Sequence, residues 1–201
     1  MKSKPHNESR PICFWTWFTE IAQSLAYNLD NPHLLEELDR RVSELHPSIS
    51  WEVGPGRKAS SQLVISPNLD RDLLPITRRI ISYAPSMANW EIYAARQSKQ
   101  WNYILKIEDE SGMELCFDVS SWTYVLLKYP QGDYEVVIKS NKPLPSSKDV
   151  CWQISAIILE SEMGEELLLE KIGTFTLVEA LDAKWLAREK PIKDLRRAFG
   201  L

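Results

Sequence analysis

The sequence predicts an α+β protein. A helical hairpin opens the chain, and two hairpin–helix–strand units then build a mostly antiparallel sheet with helices on one face. Three observations lead there. Apolar residues recur with a helical period between 14 and 45. The period switches to alternation at 49–66. Strand-like runs cluster at 101–139 instead of alternating one by one with helices.

The elements follow in order. Residues 1–12, with two prolines and scattered charge, read as a disordered leader, and 13–201 as a single domain. Phe14, Phe18, Ile21, Ala22, Leu25 and Leu29 form a helical stripe, widened by Trp15 and Trp17. Asn31 caps a second helix with Pro32 at its first position, and "HPS" at 46–48 ends it, because a residue before proline disfavours the helical region. "ISWEV" and "SQLVIS" alternate around the Gly- and Pro-containing "GPGRKAS", a β-hairpin signal. A helix follows over 72–84. With Asp72 as its cap, Pro75 falls in the first turn, where its missing N–H costs nothing. A strand is expected at 90–97.

Alternation resumes at Trp101, Tyr103, Leu105 and Ile107. It recurs after "EDESG" at Met113, Leu115, Phe117 and Val119, and "PQG" joins a further hairpin over 122–140. "NKPLPSSKD" breaks the chain, and Ser146 with Asp149 suggests a capping box for a helix over 147–163. That helix is apolar on two stripes, so it should be deeply packed. Gly164 ends it. "EELLLEKIGTFTLVEA" reads as a strand bent at Gly173, and 182–201 as two short basic amphipathic helices. Hairpin, helix, strand thus occurs twice, at 49–97 and 122–178, as a repeat of pattern without residue identity.

Composition narrows the function classes. A net charge of −4 argues against a general nucleic-acid binder. No apolar run reaches the roughly 20 residues of a membrane span, and the N-terminus lacks a signal-peptide core, so the expected compartment is the cytoplasm. Cys13, Cys116 and Cys151 are odd in number and widely spaced. They read as reduced small hydrophobes, not as a disulfide framework or zinc knuckle. His6, His33 and His46 form no metal-binding pattern, and His46 suits a helix C-terminus. No P-loop, G-x-G-x-x-G or G-x-S-x-G occurs, so no cofactor is expected.

"FWTWF" at 14–18 and "NWEIYAARQ" at 89–97 resemble a group of uncharacterised bacterial proteins with an FWxWF-type helix and a WxIxAxRQ-type strand. The resemblance implies a bacterial, cytoplasmic, single-domain protein and carries over no activity and no catalytic residue.

The candidate site residues are Tyr93, Arg96, Gln97, Trp101 and Trp122. In the phase of its strand Arg96 falls on the side of Trp90 and Ile92. It either lays its stem along apolar surface with its head in solvent, pairs with an internal carboxylate, or recognises an anion. Trp101 and Trp122, on neighbouring strands, are candidates for an exposed binding platform. The five glutamates at 160, 162, 165, 166 and 170 read as a solvated acidic turn, and the basic tail 184–197 as able to dock on it within one chain or between two. No nucleophile–base pair is visible. The expected function is therefore a non-enzymatic interaction or ligand-binding protein, with a protein partner or homodimer, no nucleic acid and no membrane span. The alternative is a small hydrolase-like enzyme with Glu91 or Asp118 as general base and Arg96 as anion binder.

Overall fold

The computed structural model describes residues 9–108 and 112–201. The leader 1–8, including His6, and the middle of "EDESG" lie outside the described residues. The fold is α+β, as the change of period predicts, and it divides into two compact units, 1–96 and 97–201.

In the first unit α1 (Ser9–Tyr27) and α2 (Pro32–Leu45) make the predicted helical hairpin. Helix begins at Ser9, so 9–12 belong to α1 and not to the leader. Asn31 caps α2 by accepting the Leu34 N–H. β1 (Ser50–Pro55) and β2 (Ser61–Ser66) pair antiparallel. A 3-10 turn capped by Asp70, not Asp72, leads into α3 (Leu74–Ile81), with Pro75 in its first turn. β3 (Trp90–Tyr93) lies parallel to β2, which gives the order β1-β2-β3. Leu63, Ile65 and Trp90 pack on one face of this sheet with Phe14, Trp15 and Phe18 of α1, Leu38 and Val42 of α2, and Ile80 of α3. The aromatic run of α1 is therefore core. The Trp15 indole N–H donates to the Ile80 carbonyl at 2.7 Å, and that of Trp90 to the Ala22 carbonyl at 3.2 Å. Each buried ring satisfies its only polar atom against a helix carbonyl.

The second unit opens with a two-stranded antiparallel ribbon, β4 (Ile104–Glu108) and β5 (Glu114–Asp118). β6 (Thr123–Lys128) and β7 (Tyr134–Lys139) form the next hairpin. Ser147, one residue beyond the expected Ser146, caps α4 (Lys148–Met163). Residues 165–171 are helical, not strand: Gly164, at φ 79°, breaks α4, and α5 (Glu165–Lys171) restarts with two glutamates in its first turn. β8 (Ile172–Val178) then runs parallel to β7, with a register irregularity at the expected bend, Gly173. The C-terminal segment is a 3-10 turn (183–188), the short β9 (Lys190–Pro191) paired with β6, and α6 (Leu195–Ala198), in place of two amphipathic helices. The strands are thus shared among three sheets, β1-β2-β3, β4-β5 and β8-β7-β6-β9, and are not joined in one.

Candidate functional site

Strand β3 stops at Tyr93, four residues earlier than the alternation suggests, and the pleat phase is lost before Arg96. The arginine therefore does not lie with Trp90 and Ile92. Its Nε donates to Glu52 Oε1 at 2.6 Å and its Nη2 to Ser50 Oγ at 3.0 Å, on the opposite face of β1. With 17% of the side chain exposed, Arg96 is a tie across the sheet to the Glu52 carboxylate, not a solvent-facing head.

Glu91 and Tyr93 share the other strand face, two residues apart. The Tyr93 hydroxyl donates to Glu91 Oε2 at 2.9 Å. The same carboxylate accepts the backbone N–H groups of Arg57, Lys58 and Ala59 from the β1–β2 loop. These backbone donors hold the Glu91 pKa down at about 2, so the group is a loop clasp, ionised and already occupied. A general base needs free lone pairs and a pKa near the working pH. Asp118 is exposed at the end of β5. It caps Ser120, whose side chain and N–H depress its pKa as well.

In the second unit the Trp101 indole N–H donates to Glu162 Oε1 at 2.8 Å, and Tyr103, in the left-handed region at φ 63°, packs against Trp101 with ring centroids 4.9 Å apart and the planes tilted by 36°. Burial first, then the charge of Glu162 and hydrogen bonding to it, push the Tyr103 hydroxyl pKa up. Trp122 is 1% exposed and packs edge-on against Phe117, so it cannot form an exposed platform with Trp101. Glu162 and Glu165 are also buried, at 1% and 0%, which corrects the solvated acidic turn. The signal was present: α4 is apolar on two stripes, so a glutamate near its end has little solvent face left. The Trp122 indole nitrogen and Glu162 Oε2 have no hydrogen-bond partner among the described residues. Gln97 is half-buried and lines none of the clefts described below.

The predicted residues thus gather into separate structural ties: Tyr93 with Glu91, Arg96 with Glu52, and Trp101 with Glu162. None of them lines the cleft of about 1000 Å³ between the C-terminal end of α1 and the loop before β3. Gln23, Asn28, Asn31 and Asn89 line that cleft beside Trp90, and the Tyr27 ring at its wall is 94% exposed. Sequence reading missed it because Asn89 comes from a segment remote from the one that carries Gln23, Asn28 and Asn31. A second cleft, of about 750 Å³, brings Cys13 and His46 together with Arg10, Arg41 and Glu44. Cys13 is exposed, as is Cys116, so these two thiols are not core hydrophobes. His46 Nδ1 accepts the Ser48 N–H at 3.2 Å and trims the end of α2. Among the described residues no three His, Cys, Asp or Glu side chains gather as a metal site, and no helix is long and apolar enough to cross a membrane. Comparison with known proteins returns no matching family, no matching curated protein and no matching solved structure.

Proposed function

We propose that this chain is a non-enzymatic binding protein, and that its ligand site is the amide-lined cleft at the end of α1. The ligand class is an uncharged, hydroxyl-rich molecule, a sugar. One observation carries the reading: the cleft presents amides from Gln23, Asn28, Asn31 and Asn89 and a Tyr27 ring at 94% exposure, and no carboxylate, imidazole, thiol or amine lines it. Each amide offers both donors and an acceptor, which matches hydroxyls that do both. An exposed ring supplies a flat apolar contact with a polar tip. A cleft without an acid or base can bind but lacks the groups that general acid–base chemistry needs. The carboxylate alternative loses support because Glu91 is fully engaged and ionised down to a pH of about 2. The resemblance of the FWxWF and WxIxAxRQ stretches to uncharacterised bacterial proteins agrees with a bacterial cytoplasmic setting and adds no activity.

The test is a titration of the 15N-labelled chain with a panel of neutral oligosaccharides, followed by NMR. Saturable shifts confined to 19–31 and 87–90, lost in Tyr27→Ala and weakened in Asn28→Ala, are the expected result. No saturable shift with any member of the panel, or shifts confined to other regions, defeats the reading. Cleavage of a bound sugar would make the protein an enzyme instead.

A further inference from the structure

We infer that β8 is the seam of a symmetric homodimer, in which two copies pair their β8 edges antiparallel about a two-fold axis through Phe175. The inference is independent of the cleft in the first unit.

An edge strand exposes a row of unpaired backbone N–H and C=O groups. β8 is the last strand of its sheet, and among the described residues no strand pairs with its outer side. The Ser140 N–H donates to the Val178 carbonyl at 2.9 Å, so the backbone groups of Val178 turn inward. Strand geometry alternates, so those of Phe175 and Leu177 turn outward. Monomeric proteins guard such an edge with charge, proline or brevity. The edges of the first unit's sheet follow that rule: β1 carries Glu52 and ends in Gly54-Pro55, and β3 is four residues long and carries Glu91. β8 follows none of it. Its seven residues, IGTFTLV, contain no charge and no proline, and Gly173, Thr174 and Thr176 are exposed. Beside the strand on α4, Trp152 is 52% exposed and lies 5.8 Å from the Phe175 ring, an aromatic patch at the same edge.

The occupant follows from charge. Lys171 stands one residue before β8 and Glu179 one residue after it, both exposed. Antiparallel pairing centred on Phe175 sets Thr174 opposite Thr176 and brings Lys171, the last residue of α5, to the end of the partner strand that Glu179 follows, and the two-fold repeats each contact. The edge is complementary to itself in backbone, in size and in charge, as an isologous interface requires. A parallel arrangement would put like charges together. The basic tail is already committed to its own unit, because Ile192 and Leu195 are fully buried and the Ile192 N–H donates to the Trp122 carbonyl at 2.9 Å. A dimer in which the tail leaves this seat to dock on the partner's acidic residues would have to give those contacts up.

The experiment is sedimentation equilibrium on the full chain across a wide concentration range. Wild type, Lys171→Glu, Glu179→Lys and the double exchange are compared, with circular dichroism to confirm that each is folded. Each single reversal turns two exposed attractions into two repulsions and should raise the dimer dissociation constant by about tenfold, and the double exchange should restore it. Thr176→Lys, which keeps both flanking charges and adds a charge at the seam, should also weaken the dimer. A monomer at every concentration overturns the inference. So does a dimer indifferent to both reversals, or a double variant as weak as the singles. Should Glu179→Lys fold poorly for want of the bond that Glu179 accepts from the Leu144 N–H, Lys171→Glu and Thr176→Lys decide the matter alone.

Discussion

The chain uses one topology twice and finishes it in two ways. In 50–93 and again in 123–178 a hairpin is followed by a helix and then by a strand parallel to the second hairpin strand. The first copy closes with an eight-residue helix and a four-residue strand. The second closes with a 16-residue helix, a further seven-residue helix and a seven-residue strand. The first copy buries its sheet under an aromatic helical hairpin that precedes it in sequence, whereas the second is covered by its own long helix α4 and adds the segment that follows it. The short helix α3 covers little of its sheet, so the first copy recruits α1 and α2, while the longer α4 leaves the second copy needing only the tail. The first cover, α1, brings the polar cleft at its C-terminal end. The second leaves a long uncharged edge.

Removing a cover should have the largest effect. Truncation before Ala183 deletes Ile192 and Leu195, both fully buried, along with β9. Each lost side chain is worth roughly 2–5 kcal/mol, which together approaches the whole stability of an ordinary domain. Loss of the cooperative unfolding signal of the second unit is expected in calorimetry. A truncated chain that melts like the full one would mean the tail covers nothing.

Next come matched core deletions. Phe18 covers the first sheet and Ile154 the second, each at 0% exposure. Phe18→Ala should cost about 3–5 kcal/mol and Ile154→Ala about 2–5 kcal/mol in urea denaturation. Trp17 is only partly buried, with the Arg41 guanidinium 4.6 Å from its ring, so Trp17→Ala should cost less than Phe18→Ala. The reverse order would show that the face of α1 has been misread.

A smaller effect separates a half-buried ion pair from an exposed one. Arg96→Ala should destabilise by about 1–2 kcal/mol, because it strips a charged partner from Glu52 and Ser50. Lys106→Ala breaks the Lys106–Glu114 pair, which is about 60% exposed on both sides, and should fall within about 0.5 kcal/mol of wild type. Equal costs would place Arg96 in solvent after all.

The smallest effect is a response to acid through Glu91. The folded-state pKa of Glu91 is depressed from 4.5 to about 2, so its contribution is full above pH 4.5 and is lost as the pH falls toward 2. Glu91→Gln should flatten that part of the acid limb while changing its slope little above pH 5, as read by urea midpoints at a series of pH values. Identical acid limbs for the two proteins would show that the loop does not depend on the ionised carboxylate.

Periodicity made the helical hairpin, both strand hairpins and α4 legible, because period 3.6 and period 2 are local properties of the chain. Boundaries were less so. "EELLLEK" was ambiguous because a short apolar run suits either state, and Gly164 and the two leading glutamates settle it as helix. The cap of the turn before α3 moved from Asp72 to Asp70 because a 3-10 segment intervenes. Of the candidate residues, Tyr93, Arg96 and Trp101 are polar ties, and their partners stand two, 44 and 61 residues away. A tie two residues long can be read from a strand. The longer ones cannot, since they depend on which strands become neighbours.

By itself the sequence determined the class of the fold, the repeated order of elements and the apolar faces, since each rests on the spacing of side chains along a few turns or pleats. What those faces meet was left to the packed chain: that Trp122 and Glu162 are buried, that Arg96 crosses the sheet to Glu52, that amides from two segments converge beside Tyr27, and that β8 is left at an edge. The physical reason is that burial and partnership are properties of pairs. A residue's own identity fixes what it would cost to leave a group unpaired, and only the packed chain supplies the other member.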